Sequence, residues 1–360
     1  MDSMTCTYSN VPASLLKVEQ GFGLSREEIA GLLSVSDPAD IDALFQAADR
    51  VRREYVGDEI FLRGIIEFSS YCRNNCLYCG LRRDNADTGR YRMEDDEIFG
   101  LAKSIEQRGC GTVVLQSGED PHYTRDHMCR IISRIREGTS LTVTLSLGQR
   151  PYEDYKAFRQ AGAERYLLRH ETADPELFAQ LCPGRKLDDR IECLRWLREL
   201  DYEVGMGCMV GLPGQSIEDL ADDVLLIREM DADMIGIGPF IPHEHTPLKA
   251  EPAGDATLVL KLLAVIRLVT KDTNIPSTTA LGVLDASSRK KAFEAGANIF
   301  MPVFTPQDYA ERYDLYPGKG DVKKADGAIL DFKTLFDSIH RPLGHGPGGR
   351  WKKRQGRDHQ

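Results

Sequence analysis

From residue 58 onward the chain alternates short apolar runs with amphipathic stretches of helical period. This constrains the fold more than any other feature, because a parallel strand needs a crossover, usually a helix, to return to the same sheet. The spacing predicts strands near 61–69, 112–116, 141–147, 165–169, 203–210, 234–238, 277–280 and 298–303. Helices are expected between them, over 95–108, 125–136, 152–160, 188–200, 217–230, 255–270 and 289–294. Arg108-Gly109, Ala161-Gly162 and Ala295-Gly296 put glycine just past three of these helices, where a left-handed cap needs it. Eight such units in about 240 residues fit an α/β fold, a closed (βα)8 TIM-type barrel with an N-terminal helical extension. An open doubly wound sheet is the alternative, weakened by the lack of GxGxxG after the first strand.

Around that barrel, assigned to 58–320, lie two flanks. Residues 1–57 read as helices packing on the barrel. Ser25 and Glu28 have capping-box spacing, and Asp37-Pro38 opens a helix with apolar Ile41, Leu44, Phe45, Ala48 and Val51, ended by Gly57. Residues 321–360 read as a C-terminal helix and a basic tail. From Gly344 the tail, "GHGPGGRWKKRQGRDHQ", is expected to be a solvated end, with docking of an acidic partner as the sharper reading. Acidic residues outnumber basic ones, 56 to 46, for a net charge of −10, which argues against a nucleic-acid partner. No apolar run approaches the roughly 18 residues of a membrane span. Residues 1–10 lack the pattern of a signal peptide. No membrane association and a cytoplasmic location are the expectations.

The chemistry concentrates just after the first strand, in "SSYCRNNCLYCGLRRDN". Cys72, Cys76 and Cys79 have the spacing CxxxCxxC, and thiolates this close can grip one metal centre. Four cysteines would complete an ordinary iron–sulfur cluster, but the next one, Cys110, lies beyond a helix. Three ligands leave one iron open. A structural zinc would need a fourth ligand nearby, and His122 and His127 are distant in sequence. Cys6, Cys110, Cys129, Cys182, Cys193 and Cys208 read as ordinary small hydrophobes. With Tyr78 before the last cysteine, the loop resembles the radical S-adenosylmethionine (SAM) superfamily. That resemblance implies one 4Fe–4S cluster per chain, whose free iron is chelated by SAM. It also implies one-electron cleavage of the sulfonium to a 5′-deoxyadenosyl radical.

Further motifs stand where barrel strands end, the face on which such folds keep their chemistry. Ser117-Gly118-Glu119 after the second strand resembles a loop that holds the SAM amino group, and the plain alternative is a turn with a helix cap. In Arg169-His170-Glu171, period-two alternation sends Arg169 and Glu171 one way and His170 the other, into packing. Glu171 reads as a partner of the SAM sugar or ammonium. Arg190 reads as a partner of its carboxylate, or else as a surface arginine. The turn Gly211-Leu212-Pro213-Gly214 is placed near the adenine. His243 and His245 read as a polar loop rather than metal ligands. Thr278 and Thr279, assigned to the seventh strand, offer hydroxyls to a small anion, and Tyr316 in "LYPGKG" faces the cavity.

Together, "CRNNCLYCGLRRDN", "VLQSGEDP", "RYLLRHET", "MVGLPGQ", "GIGPFIPH" and "YPGK" resemble the FeFe-hydrogenase maturase HydE family over about residues 21–319. The resemblance implies that Cys72, Cys76 and Cys79 hold the cluster, and that Glu171, Arg190 and the 117–119 loop contact SAM. It implies a substrate cavity lined by Arg169, Thr144, Thr278, Thr279 and Tyr316. The implied substrate is a small anionic iron complex bearing cysteine, carbon monoxide and cyanide, and the product a precursor of the hydrogenase's two-iron subcluster. The implied partners are the other hydrogenase maturases and an electron donor such as a ferredoxin or flavodoxin. Some members carry a second iron–sulfur site near the C-terminal end of the barrel, and this chain has no cysteine after Cys208. Two other readings stay open: a biosynthetic radical SAM enzyme like methylornithine synthase or biotin synthase, and a scaffold that carries an iron cluster without turnover.

Overall fold

The computed structural model describes residues 11–319 and 333–350. Ten strands form in chain order: β1 (Phe61–Ser69), β2 (Thr112–Ser117), β3 (Thr142–Ser146), β4 (Ala163–Leu167), β5 (Glu203–Met206), β6 (Met209–Val210), β7 (Met234–Ile235), β8 (Gly238–Pro239), β9 (Pro276–Ser277) and β10 (Ile299–Phe300). Eight of them make one parallel sheet, ordered β7-β5-β4-β3-β2-β1-β10-β9. Its edges meet at a parallel bridge, where Ile235 N–H donates to the Asn274 carbonyl at 2.9 Å and Asn274 N–H donates to the Asp233 carbonyl at 3.0 Å. The α/β barrel expected from the alternation is therefore the fold.

Two expected strands are broken. Residues 203–210 split into β5 and β6, and 234–238 into β7 and β8, with β6 paired to β8 in a separate two-stranded ladder above the barrel. The expected strand 277–280 ends at Ser277. Thr278 is an N-cap, and Thr279 opens the helix Thr279–Leu284, so it stands on a helix and not on a strand. The β-branched pair suits a strand, but threonine also suits a cap, and the local pattern does not separate the two.

The register stacks the barrel interior in layers. Arg63, Thr112 and Thr142 form the lowest, Ile65, Val114 and Thr144 the next, and Glu67, Gln116 and Ser146 the highest. Helices Val11–Glu19, Arg26–Ser34 and Pro38–Tyr55 precede the barrel, and the Ser25–Glu28 capping box is present. Arg26–Ser34 and Pro38–Tyr55 pack on the helix Ala256–Thr270, which is buried from Val259 through Leu268. Lys261 on that helix donates to the carbonyls of Leu33 and Val35. A cation there meets the negative end of the helix Arg26–Ser34.

The tail corrects an expectation. Residues 341–350 are not a solvated end but a plug across the barrel floor. Gly344 N–H donates to the Ile60 carbonyl at 2.8 Å. The Pro347 carbonyl accepts from Arg165 Nη1 at 2.9 Å and Thr112 Oγ1 at 3.2 Å, and the Gly348 carbonyl from Arg63 Nη2 at 3.0 Å. Arg350 then pairs with Asp231, Asp233 and Asp272 at 2.8, 3.5 and 2.8 Å. The basic, glycine-rich composition that reads as solvated serves here to bring carbonyls and one guanidinium to buried donors and carboxylates. Residues 351–360 lie outside the described residues. Arg350→Ala should cost about 1–3 kcal/mol, since it removes one charge partner from the buried Asp233 and Asp272, while Asp233 keeps Arg198 at 2.6 Å. Thermal unfolding checks this, and an unchanged Tm would refute it.

Candidate functional site

β1 runs out at Ser69, and the chain turns at once into the loop that carries Cys72, Cys76 and Cys79, all three free and half-buried. Backbone bonds tie the loop down. Arg73 N–H donates to the Glu119 carbonyl at 3.0 Å, Leu77 N–H to Leu181 at 2.9 Å and Arg83 N–H to Asn74 at 2.7 Å. Arg90 laces it from one side, donating to the carbonyls of Ser70, Leu81 and Arg82. At Gly118 a Cβ would stand 2.3 Å from the Tyr71 carbonyl and 2.8 Å from Cys72 Cβ, so only glycine lets the second-strand loop approach the cysteines.

Glu119 follows that glycine. Its carboxylate accepts from Gln149 N–H at 2.9 Å, Arg185 Nη2 at 2.9 Å and Arg73 Nε at 3.2 Å. Burial pushes its pKa up, yet the Arg185 guanidinium and the Gln149 N–H outweigh burial and hold it below the ordinary range. Glu119 is thus an anion that fastens the cysteine loop to the third strand's exit. Cys182 is buried in the hydrophobic core, the small-hydrophobe role expected of it, and also lies against this loop. Its thiol, together with Arg185 and Arg190, draws the Cys76 pKa down to about 7. Burial drives the Cys79 thiol the other way.

Beneath the cysteines opens a cavity of about 350 Å³, within the size range of small-molecule sites. Cys72, Cys76, Cys79, Tyr78, Ser117, Gly118, Glu119, Arg169, Glu171, Arg190, Thr144, Thr278, Thr279 and Tyr316 all line it, so the chain brings every candidate residue to one place. The turn 211–214 is not part of its wall. His243 is buried and bonded to Asp314 at 2.7 Å, the polar-loop role expected of it.

On the fourth-strand side Arg169 Nη2 lies 3.3 Å from Glu171 Oε2 and donates to the Cys208 carbonyl at 2.9 Å. Arg190 Nη1 donates to the Arg169 carbonyl at 2.6 Å and stands 3.9 Å from Glu171 Oε1. Sequence reasoning missed Glu67 and Lys319, a buried ion pair on the opposite wall, and Arg63 and Arg185, which also line the cavity. Glu67 and Arg63 had a legible signal, since charges at alternate positions of an apolar strand point into the barrel. Arg185 and Lys319 sit in loops, where nothing in the sequence gives direction.

The polar atoms show what the cavity is built to meet. Arg63 Nε, Glu67 Oε2, Thr144 Oγ1, Arg169 Nε, Glu171 Oε2, Arg190 Nε and Thr278 Oγ1 are buried without a hydrogen-bond partner among the described residues. Orphaned polar groups are costly and rare in a folded interior. Most of those among the described residues belong to side chains that line this one cavity, which fits it to a polar, charged ligand set.

Residues 66–227 match the radical SAM superfamily. The [FeFe] hydrogenase maturase subunit HydE of Thermotoga maritima is 49% identical over 92% of this chain and 94% of its own. The 3-methylornithine synthase of Methanosarcina acetivorans is 30% identical over 81% of this chain and 83% of its own. The crystal structure of methylornithine synthase superposes with a TM-score of 0.83 at 26% identity, covering 95% of this chain and 99% of that one. The hydrogenase maturase HydG shares the fold, with a TM-score of 0.78 at 21% identity over 91% of this chain and 74% of its own. The chain is a radical SAM enzyme and belongs to the [FeFe] hydrogenase maturase HydE family.

Proposed function

We propose that the protein acts in maturation of the [FeFe] hydrogenase active site, with Cys72, Cys76 and Cys79 holding one 4Fe–4S cluster whose open iron takes SAM. The observation that carries this reading is the set of orphaned polar atoms facing one cavity directly under three thiols. Three sulfurs suit a cluster with an open position. Of the three kinds of orphan, the guanidinium nitrogens and carboxylate oxygens suit a zwitterion such as the methionine end of SAM, and the threonine hydroxyls suit either sign of partner.

A 4Fe–4S cluster held by Cys72, Cys76 and Cys79 would supply the electron for reductive cleavage of a SAM bound at its open iron. The chain's residues bind, orient and enclose. Arg190 offers its guanidinium to the SAM carboxylate, and Glu171 and the 117–119 loop take the ammonium and sugar, with Tyr78 packed beside them. Arg169 supplies positive charge, and the hydroxyls of Thr144, Thr278, Thr279 and Tyr316 offer hydrogen bonds to a compact anionic iron complex with cysteine, carbon monoxide and cyanide ligands. The floor plug and the packed barrel wall keep water from a primary carbon radical. The other hydrogenase maturases are the partners, and a ferredoxin or flavodoxin is the electron donor.

The test is activation of an apo-hydrogenase in a defined anaerobic mixture with the other maturases. Activation that requires both this protein and SAM is the expected result. The likeness to 3-methylornithine synthase supports a second reading. If the mixture stays inactive while the protein forms 3-methylornithine, that reading replaces the first.

A further inference from the structure

Behind the cavity wall, on the side away from the ligand set, His170 and Asp223 are both fully buried. Asp223 belongs to the helix Ile217–Glu229, outside the barrel, and the sequence marks it as one more acid on an amphipathic helix. Its Oδ1 accepts from His170 Nε2 at 3.0 Å and from Ala173 N–H at 2.6 Å. The other ring nitrogen, His170 Nδ1, accepts from Gly207 N–H at 3.4 Å, which sets the tautomer with the proton on Nε2. At Gly207 a Cβ would fall 1.9 Å from the Gly236 carbonyl, so the chain passes this point only as glycine.

Between these anchors stands Glu171. Its φ is +74°, a left-handed conformation that costs a non-glycine residue roughly 1–3 kcal/mol and persists only when its surroundings hold it. Glu171 N–H donates to the Gly207 carbonyl at 3.0 Å, and its own carbonyl accepts from Met209 N–H at 3.0 Å. Asp223 therefore grips the chain on both sides of the strained residue, the side chain before it and the backbone amide two residues after it. Cys208 brings a third candidate metal ligand, with the three ligand atoms within 4.8 Å of one another. His170 Nε2 and Asp223 Oδ1 bond each other, and Asp223 Oδ2 has no hydrogen-bond partner among the described residues; the bonded pair is the part of the group that buttresses the chain here.

We infer that Asp223, acting through His170 and the Ala173 amide, is a positioning residue that fixes the Glu171 carboxylate for SAM. The inference rests on the assignment of Glu171 to SAM. Asp223 itself touches no ligand. Burial raises its pKa, the usual cost of a carboxyl group sealed from water, and the two donors on Oδ1 offset part of it.

A double-mutant cycle on the anaerobically reconstituted protein tests this, with SAM affinity read by calorimetry and the cluster by its EPR spectrum. Asp223→Ala should raise the SAM Kd about tenfold, with iron content and the SAM-free EPR spectrum unchanged. The same change in a Glu171→Ala background should add nothing, because the residue it positions is gone. Asp223→Asn keeps a carbonyl oxygen for both donors and should stay within about threefold of the parent. An Asp223→Ala protein that binds SAM like the parent, a loss that adds fully to that of Glu171→Ala, or an asparagine variant as weak as the alanine one would each overturn the inference. If Asp223→Ala does not fold, His170→Gln takes its place in the cycle under the same criteria. A Glu171→Ala protein with parental SAM affinity overturns the assignment of Glu171 itself. A neutral Asp223→Ala beside a weakened Glu171→Ala overturns only the buttress.

Discussion

Cys72→Ser is expected to abolish the iron–sulfur cluster and with it all SAM cleavage. Serine keeps the shape of cysteine but not the thiolate, and an alkoxide ligand at neutral pH is far costlier to form than a thiolate. With three protein ligands and no spare, loss of one leaves two iron corners unheld. Cys76→Ser and Cys79→Ser should behave alike. Cys182 is the informative control. It lies against Cys76 and shifts its pKa, so proximity alone makes it a rival fourth ligand. On the reading with an open iron, Cys182→Ser keeps the cluster and keeps the change in EPR spectrum on addition of SAM. A parent cluster whose spectrum ignores SAM would sink the open-iron reading, and loss of the cluster in Cys182→Ser would reassign the fourth corner to sulfur.

Arg169→Leu should reduce hydrogenase activation by about a hundredfold or more, since on the proposed reading its guanidinium would give the anionic substrate two charge-assisted hydrogen bonds at about 1.5–3 kcal/mol each. The variant should retain its cluster, because Arg169 makes no bond to the cysteine loop. Its contact with Glu171, at 3.3 Å, means that SAM affinity must be measured alongside. Thr278→Val separates the two effects. Its hydroxyl is buried without a partner among the described residues, so valine removes a hydrogen-bonding group at nearly the same shape and breaks no bond within the chain. Parental SAM affinity with impaired activation in Thr278→Val would place the substrate on that wall. Parental activation in both variants would show the wall to be structural.

Much of this was legible in the chain. The βα alternation specifies a closed barrel because hydrophobic period and crossover length are local properties that few folds satisfy together. The three-cysteine loop was legible for a related reason, since ligands that share one loop are brought together by local geometry alone. Arg169, Glu171 and Thr278 could be named because strand ends in such a barrel converge on one face, whereas Thr144 came from the family resemblance and Tyr316 from the loop motif "LYPGKG". What failed was of two kinds, a local pattern that serves two states and anything that depends on where a non-local partner lies. Thr279 read as strand and is helix, because threonine at a strand exit serves both states. Cys182 read as an ordinary small hydrophobe and is buried as one, but its place against Cys76, more than a hundred residues away in the chain, was not legible.

By itself, then, the sequence determined the barrel, the cysteine loop and the face on which the chemistry sits. Tertiary structure alone decided that the glycine-rich tail closes the barrel floor, where the carbonyls of Pro347 and Gly348 meet Arg165 and Arg63. It alone showed that Glu119 also fastens the cysteine loop, and that His170 and Asp223 stand behind Glu171. The physical reason is common to all three. Periodicity and ligand spacing are written in neighbouring residues, whereas the partner of a buried charge is chosen by which segments happen to meet when the barrel closes.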